Sequence, residues 1–144
     1  MTIFFDMDGT IVDLYGIENW LDCLINEYTK PYRMAKALVN MRELGKELNR
    51  LQNNGYEIGV ISWLARGGAK EYGERVTKAK LDWLKKHLGA VQFNEIHIVE
   101  YGTPKETFCK AENDILFDDE KKNRDTWTGK AYGVENILEI LKAI

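Results

Sequence analysis

Cysteine and histidine are scarce. Only Cys23, Cys109, His87 and His97 occur in 144 residues. Two cysteines make no disulfide framework, and no Cys/His spacing suits zinc. Both thiols fit a reduced, largely buried state, so a cytoplasmic protein is expected. No apolar run approaches the roughly 18 residues of a membrane span. Met1–Phe5 leads straight into acidic residues, unlike the basic start and apolar stretch of a signal peptide. No membrane partner is expected. Positive charge is not in excess: 20 Lys and Arg stand against 23 Asp and Glu, a net charge of −3. That balance disfavours a nucleic-acid backbone as partner. It leaves room for small phosphorylated ligands, which need only local positive groups. Repeats, low-complexity tracts and linkers are absent, so residues 1–144 are expected to form a single domain.

What is present is an alternation of apolar runs and helical stretches. Thr2–Asp6 reads as a strand that is apolar on both faces. Further strands are expected over 56–62, 95–99 and 114–118, with a short fifth over 131–134. Ile17, Trp20, Leu21, Leu24, Ile25 and Tyr28 recur at helical spacing. So do Met34, Leu38, Met41, Leu44, Leu48 and Leu51, followed by the stop Asn53-Asn54-Gly55. Val76, Leu81, Leu84 and Leu88 mark another helix, and Ile137, Leu138 and Leu141 a last one. Thr103-Pro104-Lys105-Glu106 reads as a capped helix start. Strands alternating with helices imply an α/β fold, a parallel sheet with helices on both faces. Residues 15–54 hold more helix than one crossover requires.

In open α/β sheets, ligands bind beyond the carboxyl ends of the strands. The first strand ends in Asp6 and leads to Asp8. The second ends in Ser62, and the fourth in Asp118-Asp119. Lys105 falls in the helix start before the fourth strand. Four carboxylates in one cleft need compensation, and an oxygen-only donor set favours Mg²⁺. Asp6, Asp8, Asp118 and Asp119 are its candidate ligands. Ser62, Lys105 and the N–H groups at Thr103 would hold a phosphate. Asp6, rigidly placed at a strand end, is the candidate nucleophile. Asp8 is the candidate acid and then base. Gly9 permits the turn after the strand and Thr10 fixes it.

Asp6-Met7-Asp8-Gly9-Thr10 resembles the first motif of the haloacid dehalogenase (HAD) superfamily. Ser62 after Ile58-Gly59-Val60-Ile61 resembles its second, Lys105 its third, and Ile115-Leu116-Phe117-Asp118-Asp119 its fourth. The resemblance implies a Rossmann-like, five-stranded parallel sheet of order 5-4-1-2-3, with a minimal helical cap in 15–54. It also implies a Mg²⁺-dependent phosphomonoesterase working through an aspartyl-phosphate. Gly9, Thr10, Ser62, Trp63 and Lys105 are the implied phosphate-binding residues. Within the superfamily, Asp6-Met7-Asp8-Gly9 with Asp13, Leu81–Gly89 and Asp114–Asp119 are similar to 5'(3')-deoxyribonucleotidases. That implies a small substrate such as a (deoxy)nucleoside monophosphate. The cap segment is shorter than in those enzymes, and Trp63-Leu64-Ala65-Arg66 departs from their second motif.

Competing readings stay open at this point. Lys80 and Lys110 are weaker competitors of Lys105. Trp63 and Arg66 are candidates for an apolar wall and an anion anchor. Trp20, Tyr28 and Tyr32 fit core packing better than base stacking. A phosphatase of larger targets is an alternative. So is a phospho-accepting receiver-like module, although the motif order disfavours it. A neighbouring subunit over the cleft is left open.

Overall fold

β1 (Thr2–Phe5) is buried along its whole length, as suits a strand covered on both faces. In the computed structural model, which describes residues Met1–Ile144, it is the middle strand of five. β2 (Glu57–Trp63) and β4 (Ile115–Phe117) flank it, and β3 (Glu95–Val99) and β5 (Lys130–Tyr132) form the edges. Every pairing is parallel. The order β3-β2-β1-β4-β5 is the expected 5-4-1-2-3 read from the other edge, and the fold is α/β and Rossmann-like.

Register sets the level of the strand ends. Phe5 stands beside Val60 on one side and Phe117 on the other. Asp6 and Asp118 therefore leave the sheet together, and the Asp6 amide still donates to the Phe117 carbonyl at 2.9 Å. Alternation along the strands makes two faces. Ile3, Phe5, Ile58, Val60, Ile115 and Phe117 pack under α3 (Met41–Asn53), α4 (Lys70–His87) and α6 (Ile137–Lys142). Phe4, Ile61 and Leu116 pack under Trp127 and Phe108, on the side of α5 (Lys121–Thr126) and a 3₁₀ turn (Lys105–Phe108). A Cβ on Gly59 would meet the Phe4 ring at 2.7 Å, so glycine there lets this ring lie against the sheet. The Asn40 side chain accepts the Glu43 amide at 3.1 Å and caps α3. Its Leu44, Leu48 and Leu51 are fully buried, each contributing about 1.5–3 kcal/mol.

The segment between β1 and α3 departs from its expected form. The helix expected over Ile17–Tyr28 is the shorter α1 (Trp20–Ile25), and Leu21, Ile25 and Tyr28 are exposed. The helix expected from Met34 to Leu51 is broken. α2 (Lys30–Met34) ends, and the chain runs extended before α3 begins. The reason is a backbone alternative. Asp13 N–H donates to the Lys36 carbonyl at 2.8 Å, and Leu38 N–H to the Ile11 carbonyl at 2.9 Å. Residues 36–38 thus pair with the loop after β1 instead of with their own helix. α2 packs on α4 through Tyr32, Tyr72, Val76 and Ala79. The expected capped helix at Thr103 is also absent. The Thr103 hydroxyl donates to the Glu100 carbonyl at 2.7 Å, and only the four-residue 3₁₀ turn follows. It offers no helix dipole to an anion.

Candidate active site

Two buried lysines enter the carboxyl edge of the sheet from opposite faces, and strand alternation decides which strand-end residues each one meets. Asp6 and Asp118 lie two residues beyond Phe4 and Leu116, on their side of the sheet. Lys105 rises on that side from the 3₁₀ turn. Its Nζ lies 2.8 Å from Asp6 Oδ1 and 2.7 Å from Asp118 Oδ2. Ser62 continues the Ile58–Val60 side. Lys80 meets it there from the middle of α4, donating to Ser62 Oγ at 2.6 Å, the Trp63 carbonyl at 2.7 Å and Asp8 Oδ2 at 2.8 Å.

The loops after β1 and β4 are latched together. Thr10 Oγ1 donates to Asp6 Oδ2 at 2.8 Å and accepts the Asp119 amide at 3.1 Å. Gly9 has φ +82°, and a Cβ there would collide with the Asp119 carboxylate. Asp118 accepts the Glu120 amide at 2.9 Å and the Asn123 amide group at 3.2 Å. Arg124 donates to the carbonyls of both Asp118 and Asp119. The acidic pair is therefore held by Thr10, Asn123, Arg124 and the Glu120 amide, and Asp118 by Lys105 as well.

This arrangement is short of positive charge. Carboxylate oxygens of Asp6, Asp118 and Asp119 lie within 4.8 Å of one another. Burial, then the Asp6 charge, pushes the Asp118 carboxyl above the usual carboxylate range. The same two causes push Asp119 up to about 8. Burial works to lower Lys105, but Asp6 and Asp118 outweigh it and hold the ammonium above its ordinary value. Carboxyls raised in this way would ionise more readily beside a hard divalent cation, and three oxygen donors suit Mg²⁺. Asp8 stands outside that group of three. Burial raises its carboxyl against the opposing charge of Lys80, and its Oδ1 is buried without a hydrogen-bond partner.

Above the acids lies a cavity of about 340 Å³. Asp6, Asp8, Lys105, Asp118 and Asp119 line it from below. Tyr15, Trp20 and Tyr32 wall it on one side, and Trp63, Arg66 and Tyr101 on the other. Of the residues expected at phosphate, Trp63 and Lys105 line this space, whereas Gly9, Thr10 and Ser62 do not. The Trp63 indole N–H donates to the Thr103 carbonyl at 2.9 Å, and its ring lies 5.3 Å from Lys105 Nζ. Arg66 sits over the Tyr101 ring. Tyr28 lies outside the cavity. Arg124, Tyr15 and Tyr101 carry no sequence signal that singles them out. Lys80 does: with Val76, Trp83 and Leu84 it falls on a single helical face that is otherwise apolar.

No family model matches the chain, and no curated protein matches it. Among solved structures, the chain is similar to the D,D-heptose 1,7-bisphosphate phosphatase from Burkholderia Thailandensis. The TM-score is 0.61 over 99% of this chain and 96% of that one. The likeness is one of fold. At 12% identity it shows that the same α/β architecture spans both proteins end to end. No helix of the chain is long and apolar enough to cross a membrane.

Proposed function

We propose that the chain is a Mg²⁺-dependent phosphomonoesterase of the haloacid dehalogenase type, acting on a small phosphorylated metabolite such as a (deoxy)nucleoside monophosphate. The observation that carries the reading is Lys105, which joins Asp6 and Asp118 at the ends of adjacent strands beneath the cavity. A fold shared with a phosphatase supports it. The aromatic walls suit a small organic leaving group, and the net charge of −3 disfavours a polynucleotide.

Asp6, Asp118 and Asp119 would hold Mg²⁺, with Asp8 beside them. Bound there, the ion supplies Lewis-acid stabilisation of charge on the phosphoryl oxygens. Asp6 attacks phosphorus and forms an aspartyl-phosphate. The bond from phosphorus to the leaving oxygen breaks, and that oxygen takes a proton from Asp8. Asp8 then accepts a proton from water as the water attacks phosphorus. The bond to Asp6 breaks, and inorganic phosphate leaves. Lys105 fixes the Asp6 carboxylate and offsets charge on the transferring group.

A screen of nucleoside monophosphates, sugar phosphates and phosphorylated ends, with Mg²⁺ and with a chelator, tests the reading. Phosphate release over many turnovers is expected with Mg²⁺ and none with chelator. Asp6→Asn is expected to fold and to abolish turnover. Full activity in that variant would remove Asp6 as the nucleophile, and a single burst of phosphorylation without release would favour the receiver-like module.

A further inference from the structure

Lys80 is a buried cation that the steps above do not use. It is 1% exposed, on a helix whose other buried residues are Tyr72, Val76, Ala79, Trp83 and Leu84. An ammonium survives in such surroundings only if all its protons are bonded. Three acceptors meet its three protons: Asp8 Oδ2, Ser62 Oγ and the Trp63 carbonyl. The Tyr32 ring lies 5.2 Å away. No proton is left for a substrate, and Lys80 does not line the cavity. Asp8 does line it, with its side chain 15% exposed.

We infer that Lys80 is a positioning residue: its bonds to Asp8 Oδ2, Ser62 Oγ and the Trp63 carbonyl clamp the Asp8 carboxyl to the end of β2, at the floor of the cavity where the bridging oxygen of a phosphate ester would meet it. The inference rests on the reading of Asp8 as proton donor. As the bond between phosphorus and the leaving oxygen breaks and the bond to Asp6 forms, the proton on the Asp8 carboxyl passes to the leaving oxygen. Lys80 touches neither the substrate nor the reacting atoms. The two lysines divide the work by sheet face. Lys105 serves the nucleophile and the acidic pair, and Lys80 serves the acid.

The test compares Lys80→Met with the wild type on p-nitrophenyl phosphate and benzyl phosphate. The two esters carry similar rings. Nitrophenolate leaves without a proton, whereas benzyl alcohol needs one. kcat/KM for benzyl phosphate is expected to fall roughly 10²–10⁴-fold, the usual worth of a placed acid. For p-nitrophenyl phosphate it falls less than about tenfold. Equal losses on the two esters, or no loss on either, would overturn the inference. Lys80→Met leaves Asp8 without its cation and threatens folding, so Asp8→Asn and Asp8→Asn/Lys80→Met are compared as well. In that background Lys80→Met is expected to cost less than about a further tenfold on p-nitrophenyl phosphate. A larger further loss shows a role independent of Asp8 and sinks the proposal. A wild type that hydrolyses neither ester removes the phosphatase reading itself, and the inference with it, before any variant is compared.

Discussion

Replacing Lys105 by methionine deprives Asp6 and Asp118 of the ammonium that joins them. The three side chains are 1%, 9% and 1% exposed, so water does not take the place of the lost partner. Removing one member of such a buried pair costs about 3–5 kcal/mol. At roughly 2–4 °C per kcal/mol for a chain of this size, the melting temperature should fall by about 6–20 °C. The sign of the pH dependence follows from the same contacts. The Asp118 carboxyl already stands above an unfolded value of about 4 through burial and the Asp6 charge, and loss of Lys105, which opposes them, raises it further. A raised carboxyl contributes stability while protonated and loses it as pH climbs from the unfolded value through the folded one. The deficit against wild type should therefore be larger at pH 8.5 than at pH 5. Urea unfolding in chelator at both values measures it, and added Mg²⁺ should restore part of the deficit at the higher pH. A deficit below about 1 kcal/mol, or one larger at pH 5, would refute the view that the Lys105 ammonium offsets the buried charge of Asp6 and Asp118.

Two further outcomes concern the acidic loop. Gly9→Ala puts a methyl group against the Asp119 carboxylate at a backbone angle that disfavours it. It should cost about 1–3 kcal/mol and weaken Mg²⁺ binding, read by titration calorimetry; unchanged binding would mean that Asp119 is not held as described. Mg²⁺ affinity should rise between pH 6 and pH 8, up to about tenfold per unit, because the Asp119 carboxyl near 8 must lose its proton to bind. An affinity flat across that range would count against Asp119 as a ligand.

The strands were legible because burial on both faces leaves a short apolar run ending in acids. Ile3-Phe4-Phe5-Asp6 and Ile115-Leu116-Phe117-Asp118 say this locally, and their being neighbours came from the motif order. The segment of residues 17–40 was not legible from periodicity. A helical stripe reads the same whether it faces a sheet or a cavity, and Leu21 and Ile25 on that stripe stand exposed beside the pocket. Nor does periodicity reveal that residues 36–38 find backbone partners beside Ile11 and Asp13. The capping pattern at Thr103 misled: its hydroxyl donates back to the Glu100 carbonyl and caps no helix, since only a 3₁₀ turn follows. Lys105 held its expected place for a different reason, as the single buried residue of a tight turn beneath two strand ends. Ser62 sat where the spacing put it, but its hydroxyl meets a lysine that composition alone would leave in water.

The middle strand has a temporal consequence. Thr2 meets Glu57 and Asp114, 55 and 112 residues further along the chain. At roughly 5–20 residues per second of synthesis, the second of these partners emerges about 6–20 seconds after the first strand does. Until then Phe4 and Phe5 have no lasting shelter, and pairing with β2 alone leaves one flank of β1 open. A nascent chain halted before residue 114 should therefore lean on chaperones, and the surroundings of Asp6 are complete only once Lys105 and Asp118 have emerged.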